Sequence, residues 1–188
     1  MLDDFDIRGG LKMTASEALF YFLVYSVMGW LLENTYSLAT TGRFWKEGLL
    51  LGPYKPMYGA APLLLIWVTA RIPQHQLLLT SIFLCFLIPT VVEYVSGCGL
   101  KAWFGRTWWD YSGMRGQLHG HICIRFSVYW GILSLLTLRY IHPGIEHIFD
   151  RVEAVWTTAA PLLLLLCLAD FVYTCLVRRK AWRKSLIA

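Results

Sequence analysis

LLLTSIFLCFLIPTVVEYVSG, residues Leu77–Gly97, holds a single charged side chain, Glu93, in a run long enough to cross a bilayer. A hydrocarbon core of roughly 30 Å takes about 20 apolar residues as α-helix. Lipid offers the backbone no hydrogen-bond partners, so helix is the expected conformation. Outward from this run, similar stretches lie at Ala18–Ala39, Met57–Ile72, Ile122–Tyr140 and Val155–Val177, the second of them short. The chain therefore reads as all-α: a polytopic membrane bundle of about five helices, with a long Trp-rich loop between helices 3 and 4. A single transmembrane domain, residues 18–177, is expected between an external N-terminal segment, 1–17, and a basic cytoplasmic tail, 178–188. Composition agrees: 57% of the 188 residues are hydrophobic, 15% are charged and mean hydropathy is +0.51, too apolar for an ordinary soluble domain.

The net charge of +5 does not mark a nucleic-acid binder, because the basic residues are scattered over loops and one tail. They read as topology instead. With five crossings and the N-terminus outside, twelve of the seventeen Lys and Arg residues fall on the inner side, among them Lys46, Lys55, Arg106, Arg125 and Arg178. That bias satisfies the positive-inside rule, with the C-terminal tail cytoplasmic. The first residues are acidic (Asp3, Asp4, Asp6) and no small-residue cleavage site follows the first apolar run, so no secretory signal peptide is read there. The five cysteines show no C-x-x-C spacing and read as small buried hydrophobes. Trp30, Trp45, Trp103, Trp108, Trp109, Trp156 and Trp182 stand where helices meet loops, as interfacial anchors do.

Chemistry is sought first in ionisable residues within apolar runs, each costing at least ~2.5 kcal/mol at the bilayer centre unless it faces a partner or a wet cavity. Glu33, Glu93 and Asp170 all belong to the inner half under this topology, and Arg125 joins them at the start of the fourth span. The functional reading is a cytoplasm-facing pocket of net negative charge; the structural one is that Arg125 and loop bases pair the acids and fix packing. Asn34 and Ser37 share a stripe with Glu33. The loop from Trp103 to Cys123 is too long and aromatic for a plain connector and is expected to fold back as a cap carrying Trp109, Asp110 and Tyr111. His119 and His121 make half of a metal site, completed only by an added carboxylate; hydrogen-bonded loop histidines are the plainer reading. EGLLLGPYKPMYG, Glu47–Gly59, forbids regular helix and reads either as backbone lining a cavity or as a tight turn. HPGIEHIFDRVE reads as a solvated interfacial helix. No Walker A motif is present, so ATP-driven transport requires a separate ATPase.

Four ordered strings, YSVMGWLLENTY (Tyr25–Tyr36), GLLLGPYKPMYG (Gly48–Gly59), EYVSG (Glu93–Gly97) and WWDYS (Trp108–Ser112), followed by HICIRFSVYWG, together resemble the bacterial ABC-transporter type IV, or CmpB-like, family of small multispanning proteins. The resemblance runs from Tyr25 to Gly131. It implies a transporter role in a bacterial cytoplasmic membrane, and it covers Glu33, Gly52-Pro53, Pro56-Met57-Tyr58-Gly59, Glu93 and Trp109-Asp110-Tyr111-Ser112. Relatives commonly carry an Asn-Gly-Arg type string where this chain has His119-Gly120-His121, which counts against a metal role there.

Three functions stay open. The leading one is a permease subunit holding a small polar or cationic molecule with Glu33, Asn34, Gly52, Pro53, Tyr58, Glu93, Trp109, Asp110, Tyr111 and Arg125, beside a separate ATPase or a second copy of the chain, with no cofactor required. The second is an intramembrane enzyme acting on a lipid through paired carboxylates or a metal. The third is a scaffold whose acids serve packing alone.

Overall fold

A computed structural model describes residues 13–73 and 77–185; the acidic N-terminal residues and the last three of the tail lie outside the described residues. The helices are α1 (Ala15–Thr41), α2 (Pro56–Thr69), α3 (Leu77–Phe104), α4 (Ile124–Leu136) and α5 (His142–Ser185). Two-residue strands β1 (Gln117–Leu118) and β2 (Ile122–Cys123) pair antiparallel just before α4.

Among the described residues, three helical stretches are long and apolar enough to cross a membrane: Ala15–Thr41, Leu78–Phe104 and Ile124–Arg179. α2, with 14 residues, spans about 21 Å and falls short of the hydrocarbon thickness. Their surfaces fit a lipid solvent: Leu79 is 79% exposed and Val155 72%.

α1 starts where the chain supplies a capping box: the Thr14 hydroxyl accepts from Glu17 N–H, and the Glu17 carboxylate accepts from Thr14 N–H. It ends at Gly42, whose left-handed backbone (φ 71°) lets its N–H return to Leu38 O. The chain then re-enters the bundle instead of turning at its surface. Lys55 N–H donates to Ser26 O at 3.0 Å, fifteen residues back along α1, so the segment 42–55 returns by about 22 Å as irregular backbone. α2 starts there, with Pro56 at its first position, and runs back along the N-terminal half of α1. A short helix and a re-entrant segment thus share one passage through the bundle, and the tight-turn reading of Glu47–Gly59 is corrected.

Two separate spans with a loop between them were expected at 122–140 and 155–177. Instead every residue from Ile124 through Ser185 is helical, five of them, Thr137–Ile141, in a π-helical turn. The contacts of this stretch nonetheless reverse. His142 lies against Tyr25, Phe149 against Phe20, and Trp156 reaches Ser16, so residues 142–156 run antiparallel to α1. Asp170 then binds Gly52 and Arg178 binds Glu47, so residues 170–178 follow the opposite heading. Pro161 stands between, without an N–H for the helical ladder.

The core gathers at the N-terminal half of α1: Phe20, Tyr21 and Tyr25 pack with Leu65 and Ile66 of α2, Cys85 and Ile88 of α3, and Ile145, Phe149 and Trp156 of α5. Trp156 is therefore a core residue whose N–H bonds Ser16 O, not an interfacial anchor. His142, Ile145 and Phe149 likewise bury one face of the helix expected to be solvated.

Candidate functional site

The apolar core lies at the N-terminal half of α1, while Glu33, Lys46 and Glu93 meet around its C-terminal half. Glu33 projects from α1 toward the re-entrant segment, which delivers two lysines to it: Lys46 Nζ at 3.1 Å from Oε2, and Lys55 Nζ on the same oxygen. Tyr58, in the first turn of α2, donates to Oε1 at 2.8 Å. Asn34 stands behind this pair. Fully buried, it donates to Trp30 O and accepts Lys46 N–H at 2.8 Å, so it orients the lysine.

Glu93 is differently placed. It is 2% exposed, its Oε1 accepts from Tyr111 O–H at 3.0 Å, and Oε2 has no partner. The Trp130 indole N–H approaches the same carboxyl yet closes no hydrogen bond and is itself buried without an acceptor. Burial, and then the Glu93 carboxylate, push the Tyr111 phenol above its ordinary value, so it stays a donor. Tyr111 stacks on Phe126 at 4.8 Å and 17°, and Tyr58 meets Trp130 edge-on at 5.5 Å.

These groups wall a chamber of about 350 Å³ lined by Glu33, Lys46, Tyr58, Glu93, Trp109, Tyr111, Phe126, Tyr129 and Trp130. A second chamber of about 310 Å³ shares Glu33, Lys46, Met57 and Trp109 with it and extends toward Leu50, Phe104 and Phe171.

The loop between α3 and α4, where a cap was expected, brings Trp109 and Tyr111 to the chamber wall. Trp109 N–H donates to His121 O at 2.8 Å, and Tyr111 N–H donates to Gly120 O at 2.8 Å, which ties the WDYS string to the β1–β2 hairpin. Asp110 does not face the chamber. It is exposed and accepts Ser112 N–H at 2.9 Å, a local turn that holds its carboxyl below the usual range. Arg125 is exposed as well, donates to the Tyr129 hydroxyl oxygen at 3.0 Å, and pairs with none of the acids among the described residues. His119 bonds Tyr94 O–H at 2.8 Å, and His121 packs over Gly97. Among the described residues no three His, Cys, Asp or Glu side chains converge as metal ligands.

Asp170 departs from the expected cluster. Its carboxylate accepts Leu51 N–H at 3.2 Å, Gly52 N–H at 3.0 Å and Tyr54 O–H at 2.9 Å. It therefore satisfies backbone that would otherwise be unpaired, with Gly52 and Pro53 supporting the segment outside both chambers. Arg178 pairs with Glu47, not with Asp170.

Of the ten expected binding residues, Glu33, Tyr58, Glu93, Trp109 and Tyr111 share the first chamber; Asn34, Gly52, Pro53, Asp110 and Arg125 do not. The expected net negative charge is corrected too: with Lys46 and Lys55 both on Glu33, two lysines balance the two carboxylates Glu33 and Glu93. Phe126, Tyr129 and Trp130 line the chamber as well, and their spacing of three and four, which places them on one face of α4, is a signal present in RFSVYWG.

No curated protein and no solved structure matches the chain. The family described as Putative ABC-transporter type IV matches residues 20–175, which takes in the re-entrant segment, both carboxylates, the cap and Asp170, and the chain belongs to that family.

Proposed function

We propose that this chain is the membrane-embedded subunit of a transporter and that it holds a small organic cation in the chamber between α1, α3, α4 and the cap. The observation that carries this reading is the Glu93 carboxyl, buried, with one oxygen unpartnered, among the rings of Trp109, Tyr111, Phe126 and Trp130. A buried carboxylate costs several kcal/mol unless an opposite charge meets it, and aromatic faces attract the same cation. Glu33 is already held by two lysines, so it shapes the chamber, and Glu93, which accepts from Tyr111 through one oxygen while the other has no partner, supplies the charge. The chain crosses the cytoplasmic membrane five times, with the N-terminus outside and the chamber facing the cytoplasm, as the distribution of Lys and Arg supports. Energy from ATP enters through a separate ATPase subunit, and a second copy of the chain completes the permease.

Native mass spectrometry of the full chain, extracted gently from its host, tests this reading against a Glu93→Gln variant. The expected result is a stoichiometric organic adduct in the wild type that the variant loses while keeping its melting temperature. A wild-type protein carrying no organic adduct, or one retained undiminished by Glu93→Gln, overturns it.

A further inference from the structure

The second chamber has a different chemistry from the first. Its walls between the end of α3, the end of α5 and the re-entrant segment are mostly apolar, with Leu49, Leu50, Leu100, Phe104 and Phe171 among them. Besides Glu33, Lys46 and Lys55, its lining includes Glu47, and at the rim two arginines share that glutamate: Arg106 reaches Glu47 Oε2 at 2.8 Å, and Arg178 reaches Glu47 Oε1 at 2.9 Å and Gly48 O at 3.0 Å. Two cations against one anion leave a net positive charge. Both guanidinium groups lie over the Trp108 ring, at 5.5 and 5.7 Å from its centroid, and the Trp108 indole N–H is buried without an acceptor.

We propose that this chamber binds an anionic phospholipid, with one acyl chain between Leu50, Leu100 and Phe171 and its phosphodiester at Arg106, Arg178 and Trp108. A phosphate oxygen supplies the acceptor that the indole N–H lacks and the charge that the arginine pair leaves unmatched. A free anion accounts for the rim but not for the apolar chamber behind it. A neutral apolar chain fills the chamber but leaves the rim charge and the indole unmatched. An amphiphile with an anionic head answers both, and exposed Leu176 and Val177 on the neighbouring surface of α5 face the medium from which it comes.

Gly99 offers a way to test the chamber without breaking the fold. It lies on the chamber wall, and a Cβ there meets nothing within 4 Å, so Gly99→Leu grows into the space that the acyl chain takes. The full chain is purified in detergent micelles containing equal phosphatidylglycerol and phosphatidylcholine, and retained lipid is read by native mass spectrometry. The expected result is one retained lipid per chain, phosphatidylglycerol favoured about fivefold, the factor that roughly 1 kcal/mol for the one positive charge left unmatched gives. Gly99→Leu loses the retained lipid at an unchanged melting temperature. Arg106→Gln, at an exposed side chain, keeps a retained lipid but loses the preference for the anionic head.

Equal retention of the two lipids by the wild type overturns the proposal, as does retention unchanged in both variants. Inorganic phosphate that displaces phosphatidylglycerol and by itself raises the melting temperature in lipid-free detergent assigns the rim to a simple anion and also overturns it. Glu93 lies outside this chamber, so the outcome is independent of the cation reading.

Discussion

Gly59 and Gly99 make opposite demands on a methyl group. A Cβ at Gly59 would overlap the Phe22 carbonyl oxygen and the Ser26 hydroxyl, where α2 crosses α1; one at Gly99 meets open space. Gly59→Ala is expected to cost about 1–3 kcal/mol, as overpacking against backbone does, whereas Gly99→Ala gains up to about 1 kcal/mol from helix propensity. Melting temperatures of the two variants in the same detergent check this, and a Gly59→Ala protein as stable as the wild type would contradict the close crossing. His121 gives a pH test in the cap. Burial, then Lys101 and His119, lower its pKa from 6.5, so the unfolded chain binds the proton more readily than the folded one. Its contribution to stability is complete above pH 6.5 and is lost as pH falls from there through the depressed folded value. The wild type is expected to lose melting temperature below pH 6.5 more steeply than His121→Asn; parallel profiles would remove His121 from that role. At this scale Glu33 and Glu93 were legible, since a carboxylate in an apolar run needs a partner. Their different fates were not. The lysines that compensate Glu33 lie 13 and 22 residues further on, and only the re-entrant path brings them back.

That path is an element-scale feature, and it depends on where its backbone hydrogen bonds go. Lys46 N–H is taken by Asn34, Leu51 and Gly52 N–H by Asp170, and Lys55 N–H by Ser26 O. Irregular backbone at this depth persists only because helices on both sides accept from it. Asp170→Asn leaves one acceptor oxygen where there were two and removes the charge that strengthens these bonds. The expected cost is about 1–3 kcal/mol, and Asp170→Leu, which strands both N–H groups, costs more. The ordering wild type, Asn, Leu in denaturation midpoint checks this; equal midpoints would mean that the segment finds its partners elsewhere. The sequence disclosed that Glu47–Gly59 could not be regular helix, because three glycines and two prolines interrupt it. It did not disclose that α2 begins at the level of Ser26. That start is set by packing of Gly59 on Phe22 and Tyr58 on Gly29, contacts between segments whose pairing no local pattern specifies.

For the whole molecule, the reversal between Trp156 and Asp170 decides how many times the chain passes through the bundle. Apolar length alone cannot count passages here, because Ile124–Arg179 is one helical stretch of 56 residues, about 84 Å if straight and far longer than the hydrocarbon core. Long-range contacts do the counting. Phe126 lies beside Tyr36, near the end of α1, while Trp156 lies beside Ser16 at its start, so one passage ends near residue 156. Asp170 and Arg178 return along the re-entrant segment, which makes a second. Exposed Arg115 in the cap and exposed Glu153 on α5 therefore belong at opposite ends of the bundle. Single cysteines at these sites, Arg115→Cys and Glu153→Cys, in a chain whose own five cysteines are changed to serine or alanine, separate two questions. A membrane-impermeant maleimide is expected to label position 153 in intact cells and position 115 only after lysis. Labelling of both positions from the same side would contradict the reversal itself. Labelling of 115 but not 153 in intact cells would keep the reversal and invert the orientation, moving the Glu93 chamber and the Arg106–Arg178 rim to the outer face and turning the proposed cation transporter outward.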